Sequence, residues 1–231
     1  MHEKYKNIYF DIDRTLWDLK TNSDLTLSEL LNRYFPELNN KLNIFLDTFY
    51  TENEKFWQKY RDGEISKEYL RDNRFNHVMN IMGINKPDIA KKMGDAFVEE
   101  APFKTALFPH TLETLEYLKK QGYNLYLLTN GFVEVQISKI RESKLEPFFK
   151  KMITSEEVGY QKPNKKIFEY ALKTVNAKKN ESIMIGDDLH NDIFGAQNFG
   201  MDTVFFNPNK IEHDSKTTFE INDLIELKSI L

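Results

Sequence analysis

The sequence predicts an α/β protein with a parallel sheet, interrupted after its first strand by a stretch that is helical throughout. Two observations lead there. From about residue 104 to the C-terminus, short apolar runs alternate with amphipathic helical segments, the pattern of parallel strands buried on both faces by crossover helices. Between residues 18 and 103 no β-rich run occurs, and four amphipathic segments with short connections predict a small helical bundle.

The first strand is Ile8-Tyr9-Phe10. It stops at a carboxylate, Asp11, and a second one, Asp13, follows two residues later. Ligands of open α/β sheets sit beyond the carboxyl ends of strands. Two acids there need a balancing partner, because like charges raise each other's pKa. A divalent cation supplies that balance, as does an electrophile that one acid attacks while the other handles protons. The plainer alternative is that Asp13 and Thr15 cap a turn.

In the helical stretch, Leu25, Leu27, Leu30, Leu31, Tyr34 and Phe35 are assigned to one face, ended by Pro36. Leu42 to Tyr60 continues with apolar pairs four apart and Gly63 as its terminator. Ser66 is a good N-cap for a third helix carrying Tyr69, Leu70, Phe75, Val78, Met79 and Met82, with Gly83 closing it. Pro87 and Asp88 open the fourth. At this spacing the many aromatic rings are bundle core rather than a base-stacking surface. His77 reads as surface or core, and Lys91, Lys92, Glu99 and Glu100 as solvated surface.

Beyond residue 104, Leu112, Leu115 and Leu118 mark a helix ending near Gly122, and Tyr123 to Leu128 a strand. That strand runs into Thr129-Asn130-Gly131, which suits an oxyanion: side-chain donors, and a glycine that lets backbone N–H groups approach. A helix over Val133–Ser143 and a strand over Met152–Thr154 follow. Pro163 is placed at the first position of the next helix, putting Lys162 at its N-terminus. A cation opposes the helix dipole there, so Lys162 calls for an anionic partner. Ser182 to Ile185 is a further strand, ending in Gly186-Asp187-Asp188 with Asp192 beyond. A metal site explains these acids; N-capping by Asp192 of a helix over Ile193–Phe199 is the alternative. Asp202 to Phe206 is taken as the last strand and Asp223 to Ile230 as the last helix.

The 231 residues are 40% hydrophobic and 29% charged with a net charge of -4, a globular rather than a disordered composition. No basic block marks a nucleic-acid binder. No cysteine is present, which excludes disulfides and thiolate chemistry. The polar stretch Met1 to Asn7 lacks a signal-peptide apolar region and no segment is apolar enough to span a membrane, so a cytoplasmic protein is expected. Phosphate loops, dinucleotide fingerprints, nucleophile elbows and zincin motifs are missing. An EF-hand starting at Asp11 fails at Leu16 and Asn22.

Asp11-x-Asp13-x-Thr15, Thr129-Asn130-Gly131, Lys162-Pro163 and Gly186-Asp187-Asp188-x3-Asp192, in this order, resemble the four motifs of the haloacid dehalogenase-like hydrolase superfamily. The resemblance spans nearly the whole chain. It implies a Rossmann-like core over residues 1–17 and 104–231 and an inserted four-helix cap over residues 18–103. It implies Asp11 as nucleophile, forming an aspartyl phosphate, and Asp13 as general acid and base. It further implies Mg2+ held by Asp11, the Asp13 main-chain carbonyl and Asp187, with Asp192 and Asp188 behind these ligands. Thr129, Asn130 and Gly131 would bind the phosphoryl group, and Lys162 would offset its charge.

Two positions depart from the pattern. Arg14 stands where many members have glycine, and its side chain is expected to point to solvent or the cap hinge. Asp188 stands where serine is common and is an alternative to Asp192 beside the metal. Asp13 argues against the dehalogenases, whose motif lacks it. Thr15-Leu16-Trp17-Asp18, the Thr-Asn-Gly form and the helical cap are most similar to bacterial pyrimidine 5′-nucleotidases. The resemblance therefore implies a nucleoside 5′-monophosphatase of nucleotide metabolism acting on a small phosphorylated metabolite, with Trp57 and Tyr60 as candidates to stack on a base. A sugar-phosphate or phosphoglycolate phosphatase, a sugar phosphomutase, and a non-catalytic scaffold are the alternatives.

Overall fold

The computed structural model describes residues 4–231, so the first three residues of the polar N-terminal stretch lie outside the described residues. The chain divides into two compact units, Lys20–Lys104, and Met1–Leu19 with Thr105–Leu231.

The first unit is built on α1 (Leu19–Tyr34), α2 (Leu42–Arg61), α3 (Lys67–Ile81) and α4 (Pro87–Glu100). Local chemistry sets their ends. Pro36 starts a 3-10 turn after α1, and the Ser66 hydroxyl accepts the Tyr69 N–H at 3.1 Å. Pro87 is the first residue of α4, where its missing N–H leaves no bond unmade. Gly63 and Gly83 take the left-handed turn after α2 and α3 at φ 75° and 78°. Leu27, Leu30, Phe45, Phe49, Phe75 and Met93 form the bundle core. Leu25 and Tyr69 depart from the expected faces and are half exposed. At about 100° per residue, Leu25 lies roughly 200° around from Leu27, and Tyr69 roughly 120° from Phe75. His77 bonds the Glu52 carboxylate at 2.9 Å, and Trp57 and Tyr60 pair edge to face, centroids 5.8 Å apart.

The second unit is a six-stranded parallel sheet, as the sequence predicts, in the order β3-β2-β1-β4-β5-β6. The strands are β1 (Asn7–Phe10), β2 (Asn124–Thr129), β3 (Lys151–Thr154), β4 (Ser182–Gly186), β5 (Asp202–Phe206) and β6 (Phe219–Ile221). Between them lie α5 (Thr111–Lys120), α6 (Val133–Glu142), α7 (Ser155–Val158), α8 (Lys165–Thr174) and α9 (Gly195–Phe199), with α10 (Leu227–Ile230) last. Ile8, Phe10, Leu125, Leu127, Ile183 and Ile185 face one core with Leu115 of α5, Ile140 of α6 and Leu227 of α10. The alternate residues Tyr9, Tyr126, Leu128 and Met184 face the other with Ile167 and Phe168 of α8 and Ala196 of α9. Burial on both faces is why the strands read as unbroken apolar runs.

Phe10 is paired with Leu127 on one side and Ile185 on the other. Strand β1 is therefore central, and the chain departs from it to both sides, the arrangement that opens a crevice at the strand ends. The sheet has one strand more than expected: β6 pairs with β5 through Val204 and Phe219, Phe205 and Glu220, Phe206 and Ile221. Three residues with a glutamate in the middle carry no strand pattern of their own, and pairing makes the strand. The expected last helix is split into a 3-10 turn, Leu224–Glu226, and α10, with a capping box from Asp223 to Glu226. Among the described residues no helix is long and apolar enough to cross a membrane.

Candidate active site

Asp11 extends the ladder by one residue, donating its N–H to Ile185 O at 2.9 Å. The chain then folds back: Leu16 and Trp17 both donate to Ile12 O, and Arg14 donates to Trp17 O. Trp17 is fully buried and anchors the turn. The sheet order brings the ends of β2 and β4 beside this turn.

Lys162 Nζ lies 2.7 Å from Asp11 Oδ1, 2.6 Å from Asp192 Oδ1 and 2.8 Å from Leu128 O. Two of the ammonium's N–H donors are taken by Asp11 Oδ1 and Leu128 O, and Asp192 adds an ion pair. Burial disfavours the Lys162 charge, but Asp11 and Asp192 outweigh it and the lysine's pKa is raised. Its position has a different origin from the one the sequence suggests. Helix α8 begins at Lys165 with Asn164 as N-cap, so Pro163 precedes the cap and Lys162 stands outside the helix end. Lys162 is held instead by Asn130, whose Nδ2 donates to Lys162 O at 3.0 Å and whose Oδ1 accepts the Lys162 N–H at 2.9 Å. The Asn130 amide thus fixes the lysine's main chain, with both its side-chain groups bonded to Lys162.

Thr129 is buried, and its Oγ1 accepts from Gly131 N at 3.0 Å and from Gln136 Nε2 at 3.3 Å. Both bonds use oxygen lone pairs and leave the hydroxyl proton to donate. A Cβ on Gly131 would fall 1.9 Å from Gln136 Nε2, so another residue there would have to push that amide off Thr129 and Asp13.

Space also decides Gly186, where a Cβ would meet Asp192 Oδ2 at 2.2 Å. Asp192 does not cap the following turn. Asp188 does, accepting the N–H groups of His190 and Asn191 at 2.9 Å and Asn191 Nδ2 at 2.7 Å. The turn it caps is a wide π turn, Leu189–Phe194, ahead of the shorter α9. Asp188 is therefore turned to its own loop and does not replace Asp192. Asp192 Oδ2 accepts the Asp188 N–H at 3.2 Å.

Asp187 Oδ1 accepts from the Thr15 hydroxyl at 3.2 Å, and its Oδ2 lies 3.0 Å from Arg14 Nε. Arg14 thus pairs with the acids while its side chain stays half exposed, because their summed negative charge attracts it. Asp11, Asp187 and Asp192 each bring a carboxylate oxygen within 4.8 Å of the others. Burial pushes the Asp11 carboxyl up against the pull of Lys162, with Asp13 adding to the rise. Burial likewise drives Asp192 well above the usual carboxylate range despite Lys162. Asp187 is pushed to about 7, by burial first, against Arg14 and with Asp11 and Asp188 adding. For Asp188 burial is outweighed by the N–H groups of Asn191, and its pKa is lowered. Three crowded carboxylates that resist holding their charge are a hard oxygen donor set, and a divalent cation fits them.

Two residues that sequence reasoning missed hold the second acid. Lys139 Nζ lies 2.5 Å from Asp13 Oδ1, and Gln136 Nε2 donates to Asp13 Oδ2 at 2.7 Å. Lys139 is 5% exposed and packs over the Trp17 ring, 4.2 Å from its centroid. The available signal was their spacing: Gln136, Lys139 and Ile140 share one buried face of α6.

A sequence model of haloacid dehalogenase-like hydrolases matches residues 8–206. The pyrimidine 5′-nucleotidase PynA of Streptococcus pneumoniae is 29% identical over 234 residues, 98% of this chain and 95% of that protein. A glyceraldehyde 3-phosphate phosphatase of Methanothermobacter thermautotrophicus is 32% identical over 236 residues, 98% of this chain and 99% of that protein. The magnesium-bound crystal structure of the HAD-hydrolase YfnB of Bacillus subtilis superposes with a TM-score of 0.87 at 27% identity, covering 98% of each chain. A match that takes in all four acid-, amide- and lysine-bearing loops, with relatives alike from end to end, makes this chain an enzyme of the haloacid dehalogenase-like hydrolase family.

Proposed function

We propose that this hydrolase is a Mg2+-dependent phosphomonoesterase, specifically a nucleoside 5′-monophosphatase, acting through an aspartyl phosphate. The observation that carries the reading is the state of Asp11: Lys162 engages its Oδ1, while its Oδ2 has no hydrogen bond among the described residues. Asp11 Oδ2 attacks phosphorus in line, and the bond from phosphorus to the ester oxygen breaks. Asp13, held by Gln136 and Lys139, passes a proton to the departing alkoxide oxygen. As carboxylate it then takes a proton from the water that attacks the phosphoryl group, which releases phosphate and restores Asp11. Thr129 donates its hydroxyl proton to a phosphoryl oxygen, and Lys162 offsets the charge on nucleophile and phosphate. Mg2+ bound by Asp11, Asp187 and the Asp13 carbonyl would supply further positive charge at the phosphoryl oxygens. Both Asp192 oxygens are engaged, by Lys162 and by the Asp188 N–H, which suits a supporting role beside the cation.

The full-length similarity to a pyrimidine 5′-nucleotidase supports a nucleotide substrate. A second reading, a phosphatase for triose or other sugar phosphates, is favoured by the full-length similarity to the glyceraldehyde 3-phosphate phosphatase. A panel assayed with and without Mg2+ decides between them. The expected result is a higher kcat/KM for UMP, dUMP or TMP than for glyceraldehyde 3-phosphate, glucose 6-phosphate, phosphoglycolate or ATP. Preference for a sugar phosphate overturns the nucleotidase assignment, and no phosphate release from any of them overturns the phosphatase assignment.

Asp187 and Asp188 are expected to separate cleanly. Asp187→Ala removes a carboxylate from the acid group and should raise the Mg2+ concentration for half-maximal activity by about tenfold or more. Asp188→Ala removes a cap and should lower stability by about 1 kcal/mol while leaving the Mg2+ requirement much nearer to wild type. Metal titrations of activity and thermal melts of both variants check this; a larger Mg2+ effect from Asp188→Ala would reverse the assignment.

A further inference from the structure

Arg14 occupies a left-handed backbone conformation at φ 67°, a region that residues other than glycine rarely adopt. The turn leaves it little choice, since its N–H is tied to Trp17 O at 2.9 Å. The conformation delivers the guanidinium to Asp187, Nε to Oδ2 at 3.0 Å, with the arginine side chain half exposed and the Asp187 side chain 16% exposed. The other Asp187 oxygen already holds the Thr15 hydroxyl. Both oxygens of the most accessible member of the acid group are thus engaged, one of them by a positive charge on a flexible stem. A cation cannot approach that oxygen without displacing the guanidinium or sharing the carboxylate with it. Lys162 cannot play this part, because it is buried, hydrogen-bonded to Asp11 and Leu128 O, and paired with Asp192.

We infer that Arg14 is a built-in counter-charge that competes with a divalent cation for Asp187, so that the acid group takes up metal only at higher cation concentrations than it would with an uncharged residue at position 14. The inference rests on the reading of Asp11 and Asp187 as metal ligands. Arg14 pairs with Asp187 Oδ2 at 3.0 Å, and a cation taking that oxygen would have to displace its guanidinium.

The direct test is Mn2+ binding to metal-stripped full-length protein, followed by the electron paramagnetic resonance signal of free Mn2+, for wild type, Arg14→Gln, Arg14→Gly and Asp187→Asn. Gln keeps the left-handed backbone and loses the charge, and Gly also relieves the backbone. Both variants are expected to bind Mn2+ about three- to tenfold more tightly than wild type, the scale of one half-exposed charge a few ångströms away. By linkage, the rise in melting temperature on adding Mg2+ should also be larger for both. Tightening by Gly alone would assign the effect to the backbone and overturn the inference. Unchanged Mn2+ affinity with a raised KM would place Arg14 on the substrate and overturn it as well. Loss of Mn2+ binding in Asp187→Asn, with wild type and Arg14→Gln equal, would sink the Arg14 inference and leave the metal site standing. Failure of wild type to bind Mn2+ at millimolar concentration would sink both.

Discussion

Asp11→Asn is expected to abolish turnover, by about 10⁴-fold or more, while the protein stays folded. An amide oxygen at this position cannot form the phosphoenzyme, and no other carboxylate can take its place. Asp13 is held by Gln136 and Lys139, and Asp192 by Lys162 and the Asp188 N–H. The fold should not suffer. Lys162 keeps Asp192 at 2.6 Å and Leu128 O at 2.8 Å. The Asp11 carboxyl has its pKa raised by burial, against Lys162, so its charge works against the folded state above the usual carboxylate range. Stability linked to this group is present at low pH and is lost as pH rises through the raised folded pKa. In metal-free buffer at neutral pH, Asp11→Asn should therefore melt no lower than wild type. Single-turnover assays and thermal melts check both halves. Activity within tenfold of wild type would remove Asp11 as nucleophile, and a much lower melting temperature would show that the loss of turnover is a loss of fold.

Asp13→Asn should lower kcat by about 10²–10⁴, the usual worth of a positioned general acid–base. The loss should depend on the leaving group. An alkoxide departing from a nucleotide needs a proton, whereas p-nitrophenolate leaves without one, so the loss with p-nitrophenyl phosphate should be at least about tenfold smaller. Equal losses for both substrates would argue against the acid role. Lys139→Met keeps the Asp13 carboxylate but frees its Oδ1, and it should give a smaller loss with the same dependence on leaving group. Asp13→Asn should also destabilise, by about 1–3 kcal/mol, because the buried Lys139 loses its carboxylate and retains the Trp17 ring.

The sequence by itself determined the segments that become strands β1 to β5 and the longer helices, and where the reactive side chains enter the chain. Runs such as Ile8-Tyr9-Phe10 and Ser182 to Ile185 are apolar on successive residues because both faces of β1 and β4 are buried, and that signal is local. Ser66, Pro87 and Gly63 mark their helix ends by chemistry confined to one or two residues. Asp11, Thr129 and Asp187 are legible because each stands at or just beyond a strand's carboxyl end. What only the tertiary structure decided is how the polar groups pair. Lys162 meets Asp11 across 151 positions of chain, and Lys139 meets Asp13 across 126. Periodicity reports that a helix face is buried, not that a carboxylate is waiting there, so Gln136 and Lys139 left no distinctive trace. The same limit hid the partners of Asn130, Arg14 and Asp188. Each side chain carries donors or acceptors that suit both a ligand and a neighbouring loop, and the choice is made by the sheet order, which sets β2 and β4 on either side of β1.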